Sequence, residues 1–113
     1  MPMSALIDKI RRAREQRVSA GAHTFIVPRP TDLEMLRFQQ DRRPEALLRF
    51  VVGWDDVTEG DILPGGDPHP LAFDADVCTE WLADRMDLFG PVTSAIVEAY
   101  EAHARAKDSA AKN

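Results

Sequence analysis

The chain has 113 residues, a formal net charge of −5, 44% hydrophobic residues and 29% charged residues. This length is typical of one domain, because two cores of half the size would each be marginal. The negative charge disfavours nucleic-acid binding, which needs clustered Lys and Arg. A single cysteine, Cys78, excludes an internal disulfide and a Cys-rich zinc site, and no segment approaches the roughly 20 apolar residues of a membrane span. We therefore expect a cytoplasmic protein without membrane contact.

Residues 1–20 predict a loosely attached helix. Ser4 can cap it, and one side carries an apolar row of Leu6, Ile7, Ile10 and Ala13. The row fades where Arg14 and Arg17 enter it, so the end of this helix should be loose or depend on a partner. Ala20-Gly21-Ala22 ends the pattern, and the sequence TFIV at residues 24–27 then favours a short extended segment.

Two helix starts follow in the middle of the chain. Thr31 and Glu34 have the spacing of a capping box, which predicts a second helix from Asp32 to about Gln40. Its inward side should carry Leu33, Leu36 and Phe38. Pro44 favours the start of a third helix, whose apolar residues cover half of its circumference or more: Leu47, Leu48, Phe50, Val51, Val52 and Trp54. Such a helix should be central, although the β-favouring sequence FVV at residues 50–52 leaves a buried strand as the alternative.

The second half of the chain predicts a loop, two helices and a tail. Residues 53–72 are rich in Gly and Pro and indicate a connection. Asp74 can cap a fourth helix with Val77, Cys78, Trp81 and Leu82 on one face. Asp87 can cap a fifth, which tolerates Pro91 in its first turn and points Leu88, Val92, Ile96, Ala99 and Tyr100 inward. We therefore predict a mainly α, single-domain bundle of about five helices over residues 1–103, with one extended segment near residues 24–27 and a flexible tail at 104–113.

No motif for catalysis, metal binding or cofactor binding emerges. The acids at residues 55–67 resemble hard-cation ligands, but an EF-hand starting at Asp56 would place Gly60 fifth and Asp67 twelfth, which is the wrong spacing. The three histidines lie in distant segments. Cys78 sits in an apolar pattern that favours a buried structural thiol. We predict no catalytic residue, no metal ligand and no cofactor, and hence a protein that is not an enzyme.

Trp54 and Trp81 are candidates for packing and for recognition. Each belongs to an apolar stripe, which favours a core position. Trp54, however, precedes Asp55 and Asp56 at the end of its predicted helix. An aromatic side chain rimmed by acids is a plausible anchor for a partner helix.

The order of features over residues 22–101 resembles the tail assembly chaperones of long-tailed bacteriophages and prophages. The resemblance rests on the upstream sequence FIVPRPTDLEMLRF, on Gly53, Trp54, Asp55 and Val57 after an apolar segment, on the loop at residues 59–69, and on Pro70 to Phe73 ahead of two helices. The arginine-bearing first helix has no counterpart in that pattern.

The resemblance implies binding without chemistry. Such chaperones coat the long helical tape measure protein in the host cytoplasm before tail tube subunits polymerise, and they are absent from the finished tail. The implied partners are the tape measure protein, the major tail tube protein and other copies of the chain. The candidate partner-binding residues are Trp54, Asp55, Asp56, Val57, Phe73, Trp81 and Tyr100.

Two other hypotheses stay open at this point. In a small helical DNA-binding regulator or antitoxin, the cluster of Arg11, Arg12, Arg14 and Arg17 would contact DNA. A structural tail completion protein would instead remain in the mature particle.

Overall fold

A computed structural model of the chain describes residues 2–41 and 43–112. The described residues form six helices and a three-stranded antiparallel sheet in the order β1-β2-β3. The elements along the chain are α1 (Pro2–Arg14), β1 (Glu15–Ala20), β2 (His23–Pro28), α2 (Asp32–Gln40), α3 (Glu45–Leu48), β3 (Gly53–Asp55), α4 (Glu59–Ile62), α5 (Ala75–Ala83) and α6 (Met86–Lys112).

The sheet begins with a tight hairpin. Gly21 and Ala22 connect β1 to β2, with Ala20 opposite His23. Gly21 adopts a φ of 58°, a left-handed value that glycine tolerates and that a two-residue hairpin turn requires. β3 extends the sheet on the other side of β2, where Trp54 lies opposite Phe25.

One face of the sheet packs on the helices. Val18 and Ala20 of β1 and Phe25 and Val27 of β2 are buried, because alternate residues of a strand point to the same face. α6 crosses behind β1, where the Gln16 side-chain amide donates to the Ala95 carbonyl oxygen at 3.3 Å. α3, α5 and α6 complete the core, to which they contribute Leu47, Leu48, Cys78, Trp81, Leu82, Leu88, Val92 and Ile96.

The prediction of a mainly α bundle of five helices is wrong, because the fold combines helices with a sheet. The predicted helix over residues 1–20 ends at Arg14, and residues 15–20 form β1. Their burial alternates along the strand, with Val18 and Ala20 inward and Arg17 and Ser19 exposed. This period of two favours a strand once Gly21 allows the chain to reverse onto β2.

The predicted third helix is also wrong over most of its length. α3 ends at Leu48, and Trp54 lies in β3. The Val52 amide donates to the Ile26 carbonyl oxygen at 2.9 Å, and β3 then pairs with the free edge of β2. Hydrogen bonding to a strand about 26 residues away in sequence therefore outweighs the local helical pattern, as tertiary context commonly does.

Other predicted elements are confirmed. α2 has the predicted bounds, and Thr31 and Glu34 form the capping box. Asp74 caps α5 by accepting from the Val77 amide at 3.0 Å. The extended segment predicted at 24–27 lies within β2.

The last helix differs from the prediction at both ends. α6 begins at Met86, so Asp87 lies in its first turn and does not cap it. The Asp87 carboxylate accepts two hydrogen bonds from the Arg85 guanidinium, at 2.9 and 2.8 Å, and these hold its pKa below the usual value. Residues 104–112, predicted as part of a flexible tail, continue α6, and Asn113 lies outside the described residues. The good helix formers Ala and Lys in this segment favour the continuation.

Candidate protein-binding site

Trp54 is a buried part of the core. Its exposed fraction is 8%, and its indole Nε1 donates to the Leu71 carbonyl oxygen at 2.9 Å. The preceding Gly53 lies close to β2, since a Cβ atom at this position would stand 3.1 Å from Ile26 Cδ1. The absence of a side chain at residue 53 therefore lets β3 approach β2 and carry the indole into the core.

Trp54 lies in a cluster of aromatic rings. The ring centroid of Phe73 is 4.9 Å away and that of Trp81 is 6.2 Å away, both in edge-to-face geometry. Trp81 also contacts Phe25 and His23, at centroid distances of 5.9 and 5.1 Å. Edge-to-face pairs of this kind add stabilisation beyond the burial of area. The cluster thus joins the sheet to α5 and to the chain that enters α5.

The loop after β3 is ordered by its own backbone hydrogen bonds. Asp56 turns the chain out of the sheet with a φ of 55°, which Asp tolerates better than most residues. The Leu71 amide then donates to the Val57 carbonyl oxygen at 2.7 Å, and the Gly60 amide donates to the Asp67 carbonyl oxygen at 3.1 Å. These contacts close the Gly- and Pro-rich segment into a compact loop.

The acids of this loop serve as local hydrogen-bond acceptors. Asp61 accepts from the Thr58 amide at 2.9 Å in a capping box at the start of α4, and this hydrogen bond lowers the pKa of the Asp61 carboxyl. The Asp67 carboxylate accepts from the His69 amide at 2.8 Å. Within residues 2–41 and 43–112, no group of three or more His, Cys, Asp or Glu side chains gathers where a metal ion would bind.

Cys78 is buried as predicted, with an exposed fraction of 1%. Burial raises the pKa of its thiol to about 11, because the thiolate loses solvation. The side chain therefore acts as a small hydrophobic residue of the core.

The candidate residues from the sequence do not form one surface. Trp54, Val57 and Trp81 are buried, and Phe73 packs half-buried on Trp54. Asp55 forms an ion pair with Arg17, and Asp56 is exposed. At the end of β3, a partner can therefore reach the carboxylates of Asp55 and Asp56 more readily than the rings of Trp54 and Trp81.

Tyr100 belongs to a polar cluster between α2 and α6. Its hydroxyl donates to Asp32 Oδ1 at 3.0 Å, and Lys107 Nζ donates to Asp32 Oδ2 at 2.6 Å. His103 Nε2 stands 3.7 Å from Asp32 Oδ1. The two hydrogen bonds lower the pKa of Asp32 and raise those of Tyr100 and Lys107. The cluster attaches the second half of α6 to the start of α2.

A groove between α2 and α3 offers an accessible apolar surface. It encloses about 400 Å³, with Phe38, Ala46 and Phe50 among its lining residues and Arg37 and Arg49 exposed at its edge. Neither arginine forms a salt bridge with any described residue. Phe50 was predicted to lie inside a central helix, whereas it lies half-buried just after α3 and lines the groove.

Leu33 and Leu36 extend the apolar surface of α2, and the prediction that they point inward is wrong. Their exposed fractions are 55% and 52%, and their spacing of three residues places them on neighbouring positions of the helix surface. The groove together with these two leucines is called the α2 surface below. Glu34 and Asp41 also line the groove, but each carboxylate already accepts a hydrogen bond from a neighbouring residue. The α2 surface therefore combines apolar side chains with arginines that have no ion pair among the described residues, which is suited to an amphipathic helix that carries acids.

The four N-terminal arginines that the DNA-binding hypothesis invokes do not share one helix. Arg11, Arg12 and Arg14 lie in α1, whereas Arg17 lies in β1 and pairs with Asp55.

Among the described residues, no helix has the length and apolar character needed to cross a lipid bilayer.

Comparison with protein-family models, curated proteins and solved structures yields no match to this chain. Its function must therefore be inferred from the residues and surfaces described above.

Proposed function

We propose that this chain is a tail assembly chaperone of a long-tailed phage or prophage. In this proposal it binds the tape measure protein in the cytoplasm of the bacterial host, helps to recruit tail tube subunits, and leaves before the virion is complete. It acts through binding alone and performs no chemical reaction. The resemblance over residues 22–101 motivates the choice of family and client.

The observation that carries the proposal is the α2 surface. Two leucines of α2 are more than half exposed, and beside them a groove of about 400 Å³ contains two half-buried phenylalanines. Apolar surface that stays exposed in a small acidic protein commonly marks a place where another molecule binds. A client helix could insert an apolar side chain between Phe38 and Phe50 and direct its acids to Arg37 and Arg49.

The proposal differs from the earlier expectation in the residues that would contact the client. Trp54 and Trp81 hold the core together, and their burial leaves little ring surface for a partner. Asp55, Asp56 and Phe73 remain accessible in part, so the loop after β3 can contribute a second, acidic contact.

The direct test is co-expression with the tape measure protein of the same tail gene cluster. We expect a soluble complex that survives affinity purification. The double variant R37E/R49E reverses both exposed charges at the groove and should weaken the complex by about tenfold or more, as for charges opposed across an interface. The matched control R105E reverses an exposed charge on α6, away from the groove, and should leave binding unchanged.

Two results would reject the proposal. A tape measure protein that remains insoluble and uncomplexed in the presence of this chain would remove the chaperone role. Detection of the chain by mass spectrometry in mature, purified particles would favour the structural tail completion protein instead.

A further inference from the structure

The helix α1 projects away from the rest of the protein. Every residue from 4 to 13 is exposed, and the exposed fractions of Leu6, Ile7 and Ile10 are 50%, 45% and 46%. The backbone is anchored at the end of the helix, where the Arg29 amide donates to the Arg14 carbonyl oxygen at 2.8 Å. The described residues of one copy therefore leave the apolar row of α1 about half exposed.

An uncovered helix of this length needs a partner for its stability. α1 has 13 residues, and isolated helices shorter than about 12–15 residues are marginal in water. Most helices of this kind are stabilised by burial of their apolar face. The occupant of that face should therefore supply both an apolar contact and a charge that matches the flanking residues.

The flanks of the apolar row are basic. Lys9 and Arg11 lie on its two sides at 100° per residue, and neither forms a salt bridge with another described residue. The chain as a whole also has its net positive charge in the N-terminal half and its net negative charge in the C-terminal half. Residues 1–50 contain ten Lys and Arg against six Asp and Glu, a net charge of +4, whereas residues 51–113 contain four against thirteen, a net charge of −9. The acidic half of a second copy is thus a matched surface for α1.

A groove with complementary properties lies between α3 and α5. It encloses about 830 Å³, and the small side chains of Ala75, Thr79 and Ala83 line it. These three residues follow one another at intervals of four along α5, so they form a continuous row. Their small size leaves room for larger apolar side chains from outside.

Acids stand beside this row of small side chains. Among the described residues, Glu45, Asp76 and Glu80 line the groove together with Arg49, and the three acids are exposed. None of them forms a salt bridge with a described residue. The groove therefore carries acids and small side chains. The helix α1 carries the complementary set, which is bases and large apolar side chains.

We propose that α1 of one copy binds in the α3–α5 groove of a second copy. Leu6, Ile7 and Ile10 then cover the small side chains of α5, and the bases of α1 pair with the acids at the groove. An anionic membrane is the less suitable occupant, because the net charge of −9 on residues 51–113 opposes its approach. Each copy offers one helix and one groove, so the contact is heterologous and produces exchanged dimers, rings or open chains.

The test measures self-association of the full chain alone, without any client, so its outcome is independent of the chaperone proposal. Sedimentation velocity over a range of protein concentrations should show a mass that rises with concentration and falls with added salt, because exposed charges are screened. The variants K9E/R11E and D76K/E80K change only exposed residues. Each should dissociate to the monomer at concentrations where the wild type associates.

The two variants together give the decisive result. In a mixture, the acidic α1 of the first variant can bind the basic groove of the second variant. The unchanged basic α1 of the second variant can bind the unchanged acidic groove of the first, so association should return. The control D108K changes an exposed acid on α6 and should associate like the wild type. Association that persists in both charge-reversal variants, or a mixture that stays monomeric, would overturn the proposal. So would a monomeric wild type that binds vesicles of phosphatidylserine through α1.

Discussion

The indole of Trp54 offers a direct test of how the core is held together. The substitution Trp54→Phe keeps an aromatic ring near Phe73 but removes the Nε1 donor that lies 2.9 Å from the Leu71 carbonyl oxygen. Loss of a hydrogen bond that leaves its acceptor unpaired costs about 1–3 kcal/mol. The smaller ring also leaves unfilled volume, which adds about 1 kcal/mol. We expect the free energy of unfolding to fall by about 2–4 kcal/mol.

Urea denaturation followed by circular dichroism measures this loss, and the fluorescence of the remaining Trp81 gives an independent second probe. The control Leu33→Ala removes a side chain that is 55% exposed, so it should change the free energy of unfolding by less than about 0.5 kcal/mol. A Trp54→Phe protein within 0.5 kcal/mol of the wild type, as roughly the limit for a surface change, would refute the role assigned to the indole.

Three further predictions test the loop, the thiol and the α2–α6 cluster. Gly66→Ala should destabilise the protein by about 1–3 kcal/mol in thermal unfolding, since a Cβ atom there would lie 2.8 Å from the Glu59 backbone. Native Cys78 should react with iodoacetamide far more slowly than a free thiol, as measured by mass spectrometry, because its pKa is about 11. Asp32→Asn should speed hydrogen exchange in the second half of α6. The Asp32 pKa is lowered by Lys107, so its contribution is present above the unfolded pKa of about 3.9 and is lost as the pH falls through the folded value.

Each of these predictions has a result that would contradict it. A Gly66→Ala protein that melts with the wild type would show that the loop can relax around the new methyl group. Alkylation of native Cys78 at the rate of an exposed cysteine would show that the thiol is not buried in solution. Hydrogen exchange in α6 that is equal in Asp32→Asn and wild type between pH 5 and 7, roughly the range above the carboxyl titration, would remove the role of the cluster.

Local signals explain which elements the sequence could predict. The capping box of Thr31 and Glu34 and the cap at Asp74 act within three residues, so the starts of α2 and α5 are encoded where they occur. The apolar spacing of Leu88, Val92 and Ile96 likewise gave the buried face of α6. These features need no information about the rest of the fold.

The sheet depends on contacts that are distant in sequence. β3 has only three residues, and its position is determined by pairing with β2, whose residues lie about 30 positions earlier. The alternation of polar Arg17 and Ser19 with apolar Val18 and Ala20 was a sequence signal for β1. The stronger helical pattern that precedes it outweighed this signal. Local periodicity therefore favoured helices at both places where strands form.

The roles of the candidate residues and the position of the groove were predictable only in part. The sequence indicated the packing roles of Trp54 and Trp81, since both belong to apolar patterns and both are buried. It did not indicate that the indole donates to Leu71, 17 residues away. The groove beside Phe38 and Phe50 was not predicted either, because it exists only where the short α3 ends next to α2.

The way β3 ends has a consequence for the solubility of the protein at high concentration. An open strand edge can recruit further strands and begin fibril growth, and long, flat, apolar edges are the most hazardous. Here the outer edge is only three residues long, finishes in an acid, and is followed at once by the left-handed backbone of Asp56. Incoming chains find no template of useful length at this edge, so β3 should not recruit further strands even when the protein is crowded.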